Sequence, residues 1–214
     1  MAPFFKILFF PILFLLLTVH SVKAQYYNYD RNMSLGLTFS PNVGWLNYED
    51  GSSFDGEPKL GYAYGLIADL GFARNYYFST GLLINTLYSG SKLPLDGATG
   101  TLNNVFRLQY AEVPLAIKLK TNEGGAGRFY GQFGFTAGVK VSGKERLESS
   151  TDYRAIEGDD IFRLGLLIGA GAEWRISNSL SALTGLSYNN GFTRTMKSGN
   201  PRLSYASFNI GLLF

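Results

Sequence analysis

Seven charged side chains stand at positions where an alternating segment would turn its small residues to the same side: Asp69, Glu112, Lys118, Arg128, Lys140, Arg163 and Glu173. Acids and bases brought together in a confined space have two uses. They can line a path for protons or a small solute, or they can pair and fill the space. An unpaired charge away from water is expensive, so the expected arrangement is a set of ion pairs that bridge strands and plug the interior. Catalysis has little support beside this. The chain has no Cys, and its single His, His20, falls within the first 24 residues. Hydrolytic sites commonly rest on a His poised near working pH, and no Ser–Lys or carboxylate-only constellation stands in for it. No cofactor is expected, and a Cys or His metal site is excluded. Gly138 to Lys144 imitates the spacing of a phosphate-binding loop, but Glu145 stands where Ser or Thr is required and the segment continues an alternating strand. Asp159-Asp160 could touch a divalent cation, although a solvated loop is the plainer reading.

These residues need elements to hold them, and the elements begin after a leader. Lys6, the apolar run Ile7 to Val19 and the small-x-small triplet Val22-Lys23-Ala24 have the layout of a secretory signal peptide over residues 1–24, which leaves 25–214 as one domain. Without Lys6 and Lys23, the 19 basic residues become 17 against 16 acidic ones, a balance that predicts no nucleic-acid partner. The chain is rich in Gly (26), Tyr (14) and Phe (17), which suits strands better than helices. Period-two alternation recurs eight times. In Leu60 to Phe72, Leu60, Tyr62, Tyr64, Leu66, Leu70 and Phe72 oppose Gly61, Ala63, Gly65, Asp69 and Gly71. In Arg128 to Val141, Phe129, Phe133, Phe135, Val139 and Val141 oppose Arg128, Tyr130, Gln132, Thr136 and Lys140. Tight connections at Ala73-Arg74-Asn75 and Arg175 to Ser179 and a moderate one at Thr121 to Gly127 alternate with long ones at Asn47 to Pro58, Gly90 to Asn103, Gly143 to Asp159 and Asn190 to Pro201. Asp50-Gly51, Asp55-Gly56, Asp96-Gly97 and Asn190-Gly191 are read as turns within the long set.

The fold class that follows is all-β: an eight-stranded antiparallel transmembrane barrel with short periplasmic turns and long external loops. A soluble, lipocalin-like barrel would show the same period with its apolar face inward. The aromatics Phe72, Tyr76, Phe78, Phe129, Trp174 and Phe214 fall on the apolar face toward the short-turn side, as an interfacial girdle facing outer-membrane lipids should. The chain also ends in an alternating strand closed by Phe214, the kind of ending that barrel insertion machinery reads. Pro114 inside a strand predicts a bulge or a lapse in pairing, and leaves open whether Phe106 and Leu108 point in or out.

The segment Leu108-Gln109-Tyr110-Ala111-Glu112-Val113-Pro114-Leu115-Ala116-Ile117-Lys118 resembles a recurring strand of the Bacteroidetes outer-membrane β-barrel family often labelled PorT-like, with its Tyr-x-Glu-x-Pro core and aliphatic-and-Lys tail. Phe129-Tyr130-Gly131-Gln132-Phe133-Gly134 and Gly169-Ala170-Gly171-Ala172-Glu173 look like it too. The resemblance implies an outer-membrane barrel, and for the family's namesake a part in protein secretion. The expected role is structural or interactive, with a polar, largely plugged lumen and no catalysis. The alternatives are transport of a small or hydrophobic solute and membership of a secretion system.

Overall fold

The computed structural model describes residues 33–48, 55–94, 101–122, 124–125, 127–150, 152–156, 160–195 and 200–214. The expected leader, the Asp50-Gly51 and Asp96-Gly97 turns and Asp159 lie outside these residues. Among the described residues there are eight long strands and one short one: β1 (Met33–Asn47), β2 (Asp55–Ala73), β3 (Tyr76–Pro94), β4 (Thr101–Lys120), β5 (Gly127–Leu147), β6 (Arg154–Ala155), β7 (Phe162–Arg175), β8 (Ser181–Gly191) and β9 (Arg202–Leu213). Each long strand pairs antiparallel with the next, and β9 returns to β1, so the sheet closes with no free long edge. At the lower end of this seam Leu35 and Phe214 exchange both backbone hydrogen bonds, at 3.0 and 2.7 Å. The two-residue turn at Arg74-Asn75 is made possible by Asn75, whose φ of 67° lies in the left-handed region that Asn tolerates.

The alternation decides which face meets which solvent. Leu37, Leu60, Leu66, Phe133, Ile168 and Leu186 point outward and are each more than half exposed, while Asp69, Glu112 and Arg163 point inward and are sealed. An outer wall of large apolar side chains around a polar interior is what hydrocarbon demands, and closure removes the two bare strand edges that an open sheet would leave in it. It is the reverse of a soluble barrel.

The strands are unequal. At ~3.3 Å per residue and a tilt of roughly 40°, the 11 residues of β8 rise about 28 Å, just enough for an apolar band of ~25 Å, whereas the 21 of β5 rise about 53 Å. Strands β2 to β5 therefore stand as a wall above the membrane on the long-loop side. Segments read from sequence as loop are ladder here. Asp55-Gly56 opens β2 and Asn190-Gly191 ends β8, so neither pair makes a turn. Their glycines serve a close approach instead: a Cβ on Gly56 would meet the carbonyl of Leu46, and one on Gly191 that of Leu203.

Prolines and a bulge break the regularity where expected and where not. Pro114 shifts no register: Thr80 pairs with Leu115 and Leu83 with Glu112, and only the two steps between them lapse. The bulge is on the next strand, where Gln109 faces Ser142 and Tyr110 faces Lys140, leaving Val141 extra. Phe106 and Leu108 accordingly stay in register with Glu112 and point inward, 7% and 1% exposed. The lumen is thus not polar throughout, as expected from sequence, but apolar at its outer end.

Candidate functional site

One strand threads the whole interior. Every second residue of β4 from Phe106 to Lys120 is buried: Phe106, Leu108, Tyr110, Glu112, Pro114, Ala116, Lys118 and Lys120. Three layers build on this row.

The outermost layer is a hydrophobic cluster of Leu46, Leu87, Phe106, Leu108, Tyr110, Leu203 and Tyr205, with Tyr48 and Ile156 packed on it from above. Beneath it Arg163 donates from Nη1 to Glu112 Oε1 at 3.1 Å and from Nη2 to the Leu203 carbonyl at 3.0 Å and to Asn189 Oδ1. Glu112 Oε2 accepts from Asn85 Nδ2 at 3.0 Å and from the Tyr205 hydroxyl at 2.8 Å. The pair can form because of what lies between its strands. Glu112, Gly138 and Arg163 follow one another across β4, β5 and β7. A Cβ on Gly138 would come within 3.1 Å of Glu112 Cγ, so the glycine leaves the path open.

The lowest layer joins Asp69 and Glu173 through lysine. Asp69 receives Lys118 at 2.9 Å, Lys120 at 2.7 Å and the Ser79 hydroxyl at 2.7 Å. Lys120 also lies 2.7 Å from Glu173, whose other oxygen takes Arg128 Nε at 2.7 Å. Aromatic faces cover the cations, with Lys120 4.2 Å above the Tyr77 ring and Lys118 4.8 Å above that of Tyr130. Between the two charged layers lies a chamber of about 80 Å³, room for several waters. It is lined by Ser40, Ser79, Gln132, Thr136, Ser187 and Asn209 among others, with Ile67, Leu83 and Leu183 for contrast.

Six of the seven charges singled out from sequence fall into two groups. Glu112 and Arg163 form the upper layer; Asp69, Lys118, Arg128 and Glu173 belong to the lower. Lys140 joins neither. It is half-buried and donates to the Thr195 carbonyl at 2.8 Å. Lys120, which links the two acids of the lower layer, escaped the reading because it sits at the end of its strand beside a turn. Its spacing of two from Lys118 was the available signal. The amides Asn85 and Asn189, which complete the upper layer, carry no charge and so gave none. On the outer wall Phe72, Tyr76, Phe129, Trp174 and Phe214 are exposed toward the short-turn end, with Phe72 and Tyr76 6.3 Å apart, and Phe78 is half-buried beside them.

Above the membrane the wall of β2 to β5 carries its own ion pairs. Lys59 meets Glu57 at 3.3 Å and Glu148 at 3.0 Å, and Lys92 meets Glu57 at 3.3 Å. Arg107 lies over Tyr88, and Arg146 over Tyr153.

Comparison with solved structures returns membrane barrels. The chain is similar to Neisserial surface protein A (10% identity, 85% of this chain and 97% of that one, TM-score 0.47). It is similar to OprG of Pseudomonas aeruginosa (13%, 86% and 97%, 0.49) and to Ail, the attachment invasion locus protein of Yersinia pestis (14%, 85% and 98%, 0.39). No curated protein matches the sequence. A family model does, over residues 23–199, and with a closed, inside-polar barrel already described it places the chain plainly: the protein belongs to the outer membrane protein beta-barrel domain family and resides in the outer membrane.

Proposed function

We propose that this protein is a non-catalytic, axially closed barrel that acts through its outer surfaces: the lipid-facing wall, the tall β2 to β5 wall and the external loops. The observation that carries this reading is the series of closures along the lumen. A solute on the axis meets an apolar cluster, then the Glu112–Arg163 layer, then the Asp69–Lys118–Lys120–Glu173 layer, each of nearly sealed side chains. Eight strands leave an interior just wide enough for side chains, and among the described residues they close it at these three levels. Residues beyond the leader contain no His, which leaves hydrolysis without its usual base. The charged wall standing above the bilayer is the part of the molecule available to a soluble partner.

The test is conductance in a planar bilayer. The intact barrel is expected to give no steady current, and Glu112→Gln with Arg163→Met is expected to give none either, because the lower layer still blocks. Steady current from the unmodified barrel overturns the reading and makes transport along the axis the function.

A further inference from the structure

The barrel's wall has a weak place at its closing seam. Between β1 and β9, Phe39 pairs with Ile210 and Asn42 with Ser207, but the two steps between, Ser40 and Pro41 opposite Asn209 and Phe208, are unpaired. Pro41 has no N–H to offer there. One side-chain bond crosses the lapse: Ser40 donates to Asn209 Oδ1 at 2.9 Å, and Asn209 is held in turn from β8 by donating to the Ser187 hydroxyl at 3.0 Å. A single side-chain bond opens without dismantling a strand pair.

A recess lies on each side of this place. Outside is an open apolar groove of about 640 Å³, floored by Pro41 and Ala206 and bounded by Leu60, Ile168, Leu186 and Phe208. Inside is the chamber, whose lining mixes hydroxyl and amide side chains with apolar ones. Ser187 and Ser207 line both, so the partition is no thicker than two serines. The groove sits within the apolar band, where the surrounding medium is hydrocarbon, so its occupant is an alkyl chain. The chamber specifies the head. Among the described residues that line it the one charged side chain is Lys118, and the layer below it sets three cations, Lys118, Lys120 and Arg128, against two carboxylates, leaving one positive charge.

We propose that the β1–β9 seam is a binding site for a single-chain alkyl carboxylate taken from the bilayer, its tail in the outer groove and its head drawn through the Ser40–Pro41 lapse into the chamber. The site goes beyond the axially closed reading and does not depend on it, since it opens sideways.

Trp45 provides the readout. It lies on the outer face of β1 with its ring 6.1 Å from that of Tyr188, a residue of the groove. The experiment uses the barrel in lipid nanodiscs with Trp174→Phe, so that Trp45 is the only fluorophore of its kind, and titrates a tail-brominated alkyl carboxylate. The expected result is saturable quenching, reversed by the unbrominated carboxylate and at least tenfold less readily by the alcohol of equal chain length. Ala206→Leu fills the groove from the lipid side and is expected to abolish the saturable part while the heat-sensitive compact gel band persists. Pro41→Val, which restores the N–H, is the second variant and is expected to weaken binding about tenfold. Quenching that rises linearly with the amount of lipid analogue, or that is unchanged in both variants, overturns the proposal. Equal displacement by the alcohol overturns the carboxylate. None of these outcomes bears on axial conductance.

Discussion

Replacing Glu112 by Gln keeps the shape of the upper layer and removes its negative charge, which isolates the contribution of the ion pair. Asn85 and Tyr205 retain an acceptor, and Arg163 retains Asn189 and the Leu203 carbonyl, but the guanidinium loses its counter-charge. The side chains of the pair are 2% and 0% exposed, so water cannot take the place of the carboxylate. Breaking a buried pair from one side costs about 3–5 kcal/mol, while replacing both partners with uncharged groups is often close to neutral. Glu112→Gln is therefore expected to cost about 4 kcal/mol, and Glu112→Gln with Arg163→Met no more than ~2 kcal/mol. With a denaturant slope of about 2 kcal/mol per M, the single variant moves the urea midpoint down by ~2 M and the double variant restores at least half of that. The assay is equilibrium unfolding in detergent micelles, followed by the fluorescence of Trp45 and Trp174, with Arg163→Met completing the double-mutant cycle. Additive single and double effects would refute the argument, because two charges that do not depend on each other are not a pair.

Other expectations concern the wall and the ends. Leu66, outward at the middle of β2 and 57% exposed, is expected to cost about 2–4 kcal/mol when changed to Arg, read as a lower folded fraction in vesicles; undiminished folding would contradict the assigned lipid face. Phe214→Ala keeps the backbone bonds to Leu35 and removes only the ring. It is expected to slow assembly by purified insertion machinery while spontaneous folding into detergent is unchanged, and equal rates in both settings would show that the ring is not read. On the raised wall, the hydrogen bond from Lys59 and then that from Asn103 hold the Glu148 carboxyl below its ordinary value of 4.5. A depressed folded value means the contact's stabilisation is complete above about pH 4.5 and fades as pH falls through the folded value. Carbon NMR titration should place the midpoint below 4.5 and return it toward 4.5 in Lys59→Met; an unmoved midpoint would remove Lys59 as the cause.

Much of the barrel was legible in the residues because period two has one meaning inside a bilayer. Leu60 to Phe72 and Arg128 to Val141 needed only their alternation to be placed as strands with the correct faces out. Strand length was less legible, since the ladder of β5 continues through Gly143, Lys144 and Glu145 after the apolar period has ended. The charged interior was half legible. Alternation put Asp69, Glu112 and Arg163 on the inner face, but faces carry no information about height, and height divides six of the seven charges into two layers and leaves Lys140 outside both. The Gly138 gap that lets Glu112 reach Arg163 is a three-strand relation that no single segment displays. Pro114 was legible as a lapse because a missing N–H is local, whereas the bulge at Val141 follows from pairing with a different strand.

The same height argument explains why the lumen changes character. From Ala111 downward, β4 turns Val113, Leu115, Ile117 and Leu119 outward and Glu112, Lys118 and Lys120 inward. Above Tyr110 the assignment reverses, with Arg107 and Gln109 outward and Phe106 and Leu108 inward. A strand that leaves the hydrocarbon has water on its outer face, so its apolar side gains by turning toward the interior. The bulge at Val141 brings β5 into line with this reversal. Below it Val139 is outward, and above it the shifted register sets Lys144 beside Arg107 and Arg146 beside Val105, placing those cations on the wetted face. Had β5 alternated regularly through Val141, Lys144 would share the inner face with Lys140 and bring a further cation toward the Leu108 cluster. The bulge, the hydrophobic outer layer and the tall charged wall are thus consequences of one circumstance: four strands of this barrel, β2 to β5, rise to about twice the height of the apolar band.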